Sequence, residues 1–303
     1  MITAKCCPAC AGASHTSWPA LVAPFIQNYA LNHHAGHCRL VECRSCGLRY
    51  FDKRYEPKEL ARLYGDYRGV DYQAARQRDE RGYTRQFNEG LGDDAETRNA
   101  ALREFLKRNA LTEIDRDVVD YGGDRGDYIP NCFVGRRYVY DISGKPTIDG
   151  VERIDNVADL EILKPEFVLL AHVLEHLPDP SEVLSHIGKI MPPGGVLYVE
   201  VPLERPALRW LAKGPGYGRW LDFISRHAFL LRVMAVYDAT ARKLFGVIPP
   251  LGCAVLHEHI NFFHAPSLRA LLERSGFGIV SIETEQGLVR ALAEQNAGPV
   301  TAS

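Results

Sequence analysis

A short apolar run, Val118-Val119, closes at Asp120 and passes straight into a glycine turn, Tyr121-Gly-Gly-Asp-Arg-Gly126. The glycines fall at Gly122, Gly123 and Gly126, a G-G-x-x-G spacing. Glycine lets the backbone take positive φ and lets a ligand approach where a Cβ would block it. A buried strand that breaks into such a turn, with a helix expected after it, forms the nucleotide crevice of an open α/β sheet. A second short strand, Arg137-Tyr-Val-Tyr140, ends in Asp141, an acid placed to accept from two ribose hydroxyls. Asp120, Gly122, Gly123, Gly126 and Asp141 are therefore assigned to a nucleoside-containing cofactor. Any tight strand-to-helix turn also favours glycine, so the assignment depends on the order of motifs downstream of Asp141.

The third apolar strand, Phe167-Val-Leu-Leu-Ala171, ends in His172-Val-Leu-Glu-His-Leu-Pro-Asp-Pro180. An amphipathic helix from Ser181 to Met191 follows, capped by Asp179 or Ser181, then Pro192-Pro-Gly-Gly195 and the strand Val196–Val201. In this order the motifs resemble class I S-adenosylmethionine (SAM) dependent methyltransferases, in the group whose fourth strand ends in H-x-L-E-H. The resemblance runs from Val118 to Val201 and resumes from His257 to Ile282. One position departs from the usual glycine motif, since Asp124 stands where glycine is common.

The resemblance implies a Rossmann-like seven-stranded α/β sheet, with a helical insertion after strand five and SAM as cofactor. A helix after the glycine turn, shortened by Pro130, would turn its N-terminus to the SAM carboxylate. Asp155 or Asn156, near a weak strand at Val151–Ile154, would meet the adenine amino group. The last strands, Gly278–Glu283 and Leu288–Leu292, would form the reversed pair that closes the sheet. His172 sits nearest the expected methyl donor; its imidazole would hold SAM or remove a proton from the acceptor. Glu175 and His176 either join it or cap and pin the next turn. His257, His259 and Asn261 are acceptor-site candidates, with His259 and His257 behind His172 as general base. These histidines lack H-E-x-x-H spacing, which excludes a zinc protease of that type.

Cys7-Pro-Ala-Cys10 and Cys43-Arg-Ser-Cys46 are two C-x-x-C pairs, and two such pairs make a closed, structural four-cysteine zinc site. The 32 intervening residues call for a loop or hairpin of their own, and hold Cys38, His33, His34 and His37 as substitute ligands. A zinc-binding lobe over residues 1–55 would be too small to fold on apolar burial alone, so metal binding and folding would be coupled. Such a lobe before a SAM domain resembles sugar methyltransferases of deoxysugar and surface-polysaccharide pathways, and also some ribosomal RNA methyltransferases.

Residues 56–110 read as a charged, tyrosine-rich helical cap, and 111–303 as the methyltransferase domain. The insertion at 205–256 reads as two or three amphipathic helices: a lid, a homodimer interface, a peripheral membrane contact or an ordinary helical layer. A formal charge of −2 gives no global case for nucleic acid as partner. With no secretory h-region and no long apolar run, the chain reads as cytoplasmic, its cysteines reduced or metal-bound. The expected function is SAM-dependent methylation of a sugar nucleotide or glycan, O- rather than C-methylation because the large C-terminal extension of the deoxysugar C-methyltransferases is missing. An RNA methyltransferase and a non-catalytic scaffold with the same fold are the alternatives.

Overall fold

The computed structural model describes residues 1–31, 37–80, 83–86, 95–204, 208, 215–245 and 252–296. The chain divides into two compact units. The first gathers Met1–Asn88, Glu175–Pro178 and Leu203–Phe263; the second gathers Glu89–Leu174, Asp179–Pro202 and His264–Ser303.

The second unit is built on a seven-stranded sheet. Its order from one edge is Phe277–Glu285, Leu288–Gln295, Val196–Pro202, Phe167–Ala171, Val118–Tyr121, Arg137–Tyr140 and Glu152–Ile154. The last five run parallel, and the hairpin 277–295 joins antiparallel to Val196–Pro202. Parallel strands are buried on both faces, which is why Val118, Val119 and 167–170 read as continuous apolar runs. After Val118–Tyr121 the next two strands extend the sheet one way, and Phe167–Ala171 returns to pair on its other side. This reversal of direction is the topological switch point where open α/β sheets bind ligands. Asp120 stands level with Leu169, and Glu200 with Ala171, so both acids lie near the carboxyl edge. The helix Ala95–Arg108 buries Leu102, Phe105 and Leu106 in this unit's core. Asp179 caps the helix Pro180–Ile190, its Oδ1 accepting from the N–H groups of Ser181 and Glu182.

The helix expected after the glycine turn is absent. Residues 122–136 pass through turns, with Gly126 N–H donating to Gly123 O and Ile129 N–H to Gly126 O. Three left-handed residues, Gly122, Asp124 and Gly126, interrupt any helical run, and Pro130 can donate no backbone bond. A helix N-terminus therefore contributes nothing to a cofactor carboxylate here.

In the first unit a five-stranded sheet runs Ala254–Leu256, His15–Val22, His37–Cys43, Arg49–Phe51 and Asn261–Phe262. The segment between the cysteine pairs thus forms two antiparallel strands and the short helix Pro24–Tyr29; His33 and His34 lie outside the described residues. The insertion contributes the helices Pro215–Ser225 and Ala228–Phe245, then returns as Ala254–Leu256 to pair parallel with Ala20–Val22. Phe25, Tyr55, Tyr72, Ile224 and Leu256 pack in this core, at about 1.5–3 kcal/mol for each large apolar side chain fully buried. Arg54 is 2% exposed and fans its guanidinium over Phe51 O, Leu177 O, Pro178 O, Ile260 O and Asn261 Oδ1. One cation thereby ties together three stretches far apart in sequence. Among the described residues no helix is long and apolar enough to cross a membrane.

Candidate active site and candidate metal centre

The glycine turn is packed against its own strand. A Cβ on Gly123 would fall 2.1 Å from the Asp120 carboxylate, and one on Gly122 2.6 Å from Val173 Cγ2. Asp124 keeps the left-handed backbone that glycine usually supplies there, with φ at +53°. Asp tolerates that region better than most side chains. Its N–H donates to Asp141 Oδ2 at 3.0 Å, and its carboxylate accepts from Ser143 Oγ and Lys145 Nζ. Asp141 Oδ1 accepts from Ser143 N–H at 2.6 Å. A carboxylate has about four lone-pair positions, so Asp141 retains capacity for two ribose hydroxyls.

Asp120 is 2% exposed, and its Oδ2 has no hydrogen-bond partner among the described residues. Burial pushes its pKa up to about 7, with Asp141 and Asp127 adding to the rise against the pull of Arg98. The group borders a small pocket lined also by Arg98, Asn99, Tyr128, Tyr198 and Glu200. A buried acid with an unmet acceptor suits a cationic donor such as an α-ammonium. The residues present thus fit SAM: Asp120 for the ammonium, the glycine turn for close approach and Asp141 for the ribose.

His172 directly follows the strand Phe167–Ala171, with φ at +57°. Its N–H donates to Glu200 O, and its Nε2 lies 3.1 Å from Glu200 Oε1. Glu200 Oε2 accepts from Tyr198 Oη and Arg290 Nε, each at 2.8 Å, and Arg98 stands 3.5 Å from Oε1. Burial alone would raise the Glu200 pKa, but His172, Arg290 and Tyr198 outweigh it and hold it near 2. Sequence reading gave Glu200 no role and did not foresee that it would meet His172, Tyr198 and Arg290. The signal was there: one acid in an otherwise apolar run, Val196–Val201.

Asp155 is turned aside into an ion pair with Arg153, whose Nη2 also donates to Asp141 O. Asn156 caps the helix Val157–Leu163 through Asp159 N–H. Both therefore have structural work near the edge strand.

His257 and His259 belong to the first unit, while His172 belongs to the second. His257 Nε2 pairs with Glu80 Oε1 at 3.0 Å. His259 Nδ1 lies 3.1 Å from Glu204 Oε2; burial lowers its pKa, but Glu204 prevails and the net shift is upward. Asn261 is held by Arg54 and Leu177 O, which makes it structural. His176 Nδ1 meets Tyr64 Oη at 2.9 Å and Glu258 O at 3.3 Å, and burial drives its pKa down to about 4. Glu258 is itself buried between the Tyr72 hydroxyl and the Arg76 guanidinium.

The four cysteines converge. Cys7, Cys10, Cys43 and Cys46 place their sulfurs within 4.8 Å of one another, with Cys7–Cys46 at 3.6 Å and Cys10–Cys43 at 3.5 Å. A regular tetrahedron of sulfurs at the usual zinc bond length has edges of about 3.8 Å. Each C-x-x-C turn closes through a left-handed residue, Ala11 or Gly47. Cys38 is no ligand: it is 5% exposed in the apolar core.

Residues 95–282 match a family model described as "Methyltransferase domain". The chain belongs to this family and is a methyltransferase. No curated protein matches it significantly. Among solved structures, it is similar to a Burkholderia thailandensis 1,6-didemethyltoxoflavin-N1-methyltransferase with bound S-adenosylhomocysteine, at 15% identity and a TM-score of 0.44, over 86% of this chain and 96% of that one. A SAM-dependent methyltransferase from Aquifex aeolicus shares 15% identity at a TM-score of 0.39, over 64% and 88%. An O-methyltransferase family protein from Burkholderia thailandensis shares 13% at 0.36, over 71% of this chain and 64% of that one. The chain thus spans slightly under two thirds of this last relative.

Proposed function

We propose that this enzyme methylates an oxygen of a sugar or glycan, either nucleotide-linked or part of a surface polysaccharide, with SAM as donor and a structural zinc held by Cys7, Cys10, Cys43 and Cys46. The observation that carries the donor reading is the buried, unpartnered Asp120 Oδ2 beside the glycine turn. SAM, when bound, supplies an electrophilic methyl group on sulfonium. Asp120 accepts from its ammonium, and Asp141 accepts from its ribose hydroxyls. His172, oriented by Glu200, takes the proton as the acceptor hydroxyl becomes a nucleophile. Glu200 holds the imidazole in one tautomer and stabilises its protonated form, as an acid behind a base does in other enzymes. The sugar acceptor rests on the H-x-L-E-H segment combined with an N-terminal C-x-x-C pair.

Calorimetric titration of zinc-replete protein with S-adenosylhomocysteine, beside Asp141→Ala, tests the pocket. Binding lost in a folded variant supports it; no binding by wild type sinks it. An acceptor screen with sugar nucleotides, glycans and structured RNA then tests the second half. Methylation of RNA alone, with salt-sensitive binding, would replace the sugar reading.

A further inference from the structure

A second group of metal-type donors lies in the first unit, separate from the cysteines. Glu175, His176 and His259 each bring one donor atom within 4.8 Å of the others. Glu175 is 1% exposed. The two imidazoles pack edge to face with centroids 4.6 Å apart.

The surroundings fix which atoms face inward. His176 Nδ1 lies 2.9 Å from Tyr64 Oη, which can accept as well as donate, and 3.3 Å from Glu258 O, which can only accept, so a protonated Nδ1 satisfies both contacts. That makes Nε2 the lone-pair nitrogen, and it points at Glu175 Oε1 across 3.9 Å. Two acceptors facing each other at that separation repel unless a cation or proton stands between them. His259 Nδ1 is matched to the Glu204 carboxylate, which leaves Nε2 as its ligating atom. A carboxylate behind a histidine is the usual outer shell of a metal-bound imidazole, fixing ring and tautomer. The backbone is fixed as well, since Glu175 O accepts from both Ile260 N–H and Asn261 N–H, beside His259.

We propose that Glu175, His176 and His259 form a second metal site, which takes a divalent first-row cation through one carboxylate oxygen and two imidazole Nε2 atoms. Mixed nitrogen and oxygen donors select such ions over calcium or magnesium. Three protein ligands leave at least one position open, unlike the closed four-cysteine set. The open position takes water or an oxygen of a bound molecule.

Cobalt(II) titrated into full-length, zinc-loaded protein is the probe, because sulfur and nitrogen–oxygen sites give different spectra. One equivalent of saturable cobalt, with ligand-field bands and no thiolate charge transfer, is expected. Glu175→Gln and His259→Asn should each weaken binding at least tenfold, and Glu204→Gln by about 10–100-fold through the loss of its outer-shell bond. His227→Ala, which removes an exposed histidine elsewhere, should leave binding unchanged. Melting curves identify any variant that fails to fold, in which case the remaining variants decide. No saturable binding by wild type, binding with thiolate charge transfer only, or wild-type affinity in the folded Glu175 and His259 variants would overturn the proposal.

Discussion

His172 Nε2 and Glu200 Oε1 lie 3.1 Å apart at the ends of neighbouring parallel strands, and the His172 N–H donates to Glu200 O. Backbone and side chain thus fix the same pair twice. The left-handed φ of His172 makes Asn the suitable test substitution, because Asn tolerates that backbone and carries no basic nitrogen. His172→Asn should lower kcat about 10²–10⁴-fold with little change in S-adenosylhomocysteine affinity. Equal loss of both would make His172 a cofactor-holding group instead.

Glu200→Gln should act on stability as well as rate. The substitution leaves the 3% exposed Arg290 without its closest carboxylate, and breaking a buried pair costs about 3–5 kcal/mol. The folded pKa of Glu200, near 2, lies below its ordinary value, so the ionised acid stabilises the fold above about pH 4.5. That contribution fades as pH falls from there towards 2. Urea denaturation of wild type and variant from pH 7 to pH 3 should show the two curves converging in acid. A constant gap would remove Glu200 from the account.

Asp120 should behave in the opposite sense. Its folded pKa is raised from 3.8 to about 7, so the neutral acid favours the fold at low pH and that advantage is lost as pH rises through this window. A shift of that size corresponds to at most about 4 kcal/mol. Asp120→Asn should therefore make the ligand-free protein more stable at pH 8 while weakening SAM binding more than tenfold. In wild type, affinity for S-adenosylhomocysteine should rise with pH up to about 7, as the ammonium selects the ionised carboxylate. Calorimetry in buffers of different ionisation enthalpy should then detect proton release at pH 6; none would rule out Asp120 as the ammonium partner.

The second unit was largely legible in sequence because its signals are local. Runs such as Phe167–Ala171 are apolar because parallel strands are covered on both faces, and Asp120 and Asp141 stand at strand ends. The helix after the glycine turn was misjudged for a local reason too: Gly126 and Pro130 punctuate the segment more strongly than its pattern suggests. The first unit was harder. No local pattern reveals that Ala254–Leu256 pairs with Ala20–Val22, or that Arg54 gathers carbonyls from Leu177 and Ile260. Glu258 and Glu204 were passed over because an acid beside a histidine in sequence says nothing of which histidine it will meet.

The cysteine cluster allows a prediction about the fold itself. The strand His37–Cys43 ends at a proposed zinc ligand, and His15 pairs with Cys43 at the end of the hairpin. Without a cation, four sulfurs this close bring thiolate repulsion to the point where the hairpin is fastened. Elemental analysis combined with titration by an organomercurial should release one zinc ion as four thiols react. Cys43→Ser should lose that ion and destabilise the first unit by several kcal/mol, since metal binding at such sites contributes directly to folding. Trp18 is 8% exposed and lies in the strand opposite, so its fluorescence should shift to the red in the variant. The sheet of the second unit has its own core and should retain its circular dichroism. A zinc-free protein with unchanged Trp18 emission and melting temperature would mean that the four cysteines stay packed without metal, and that the lobe is held by its apolar core alone.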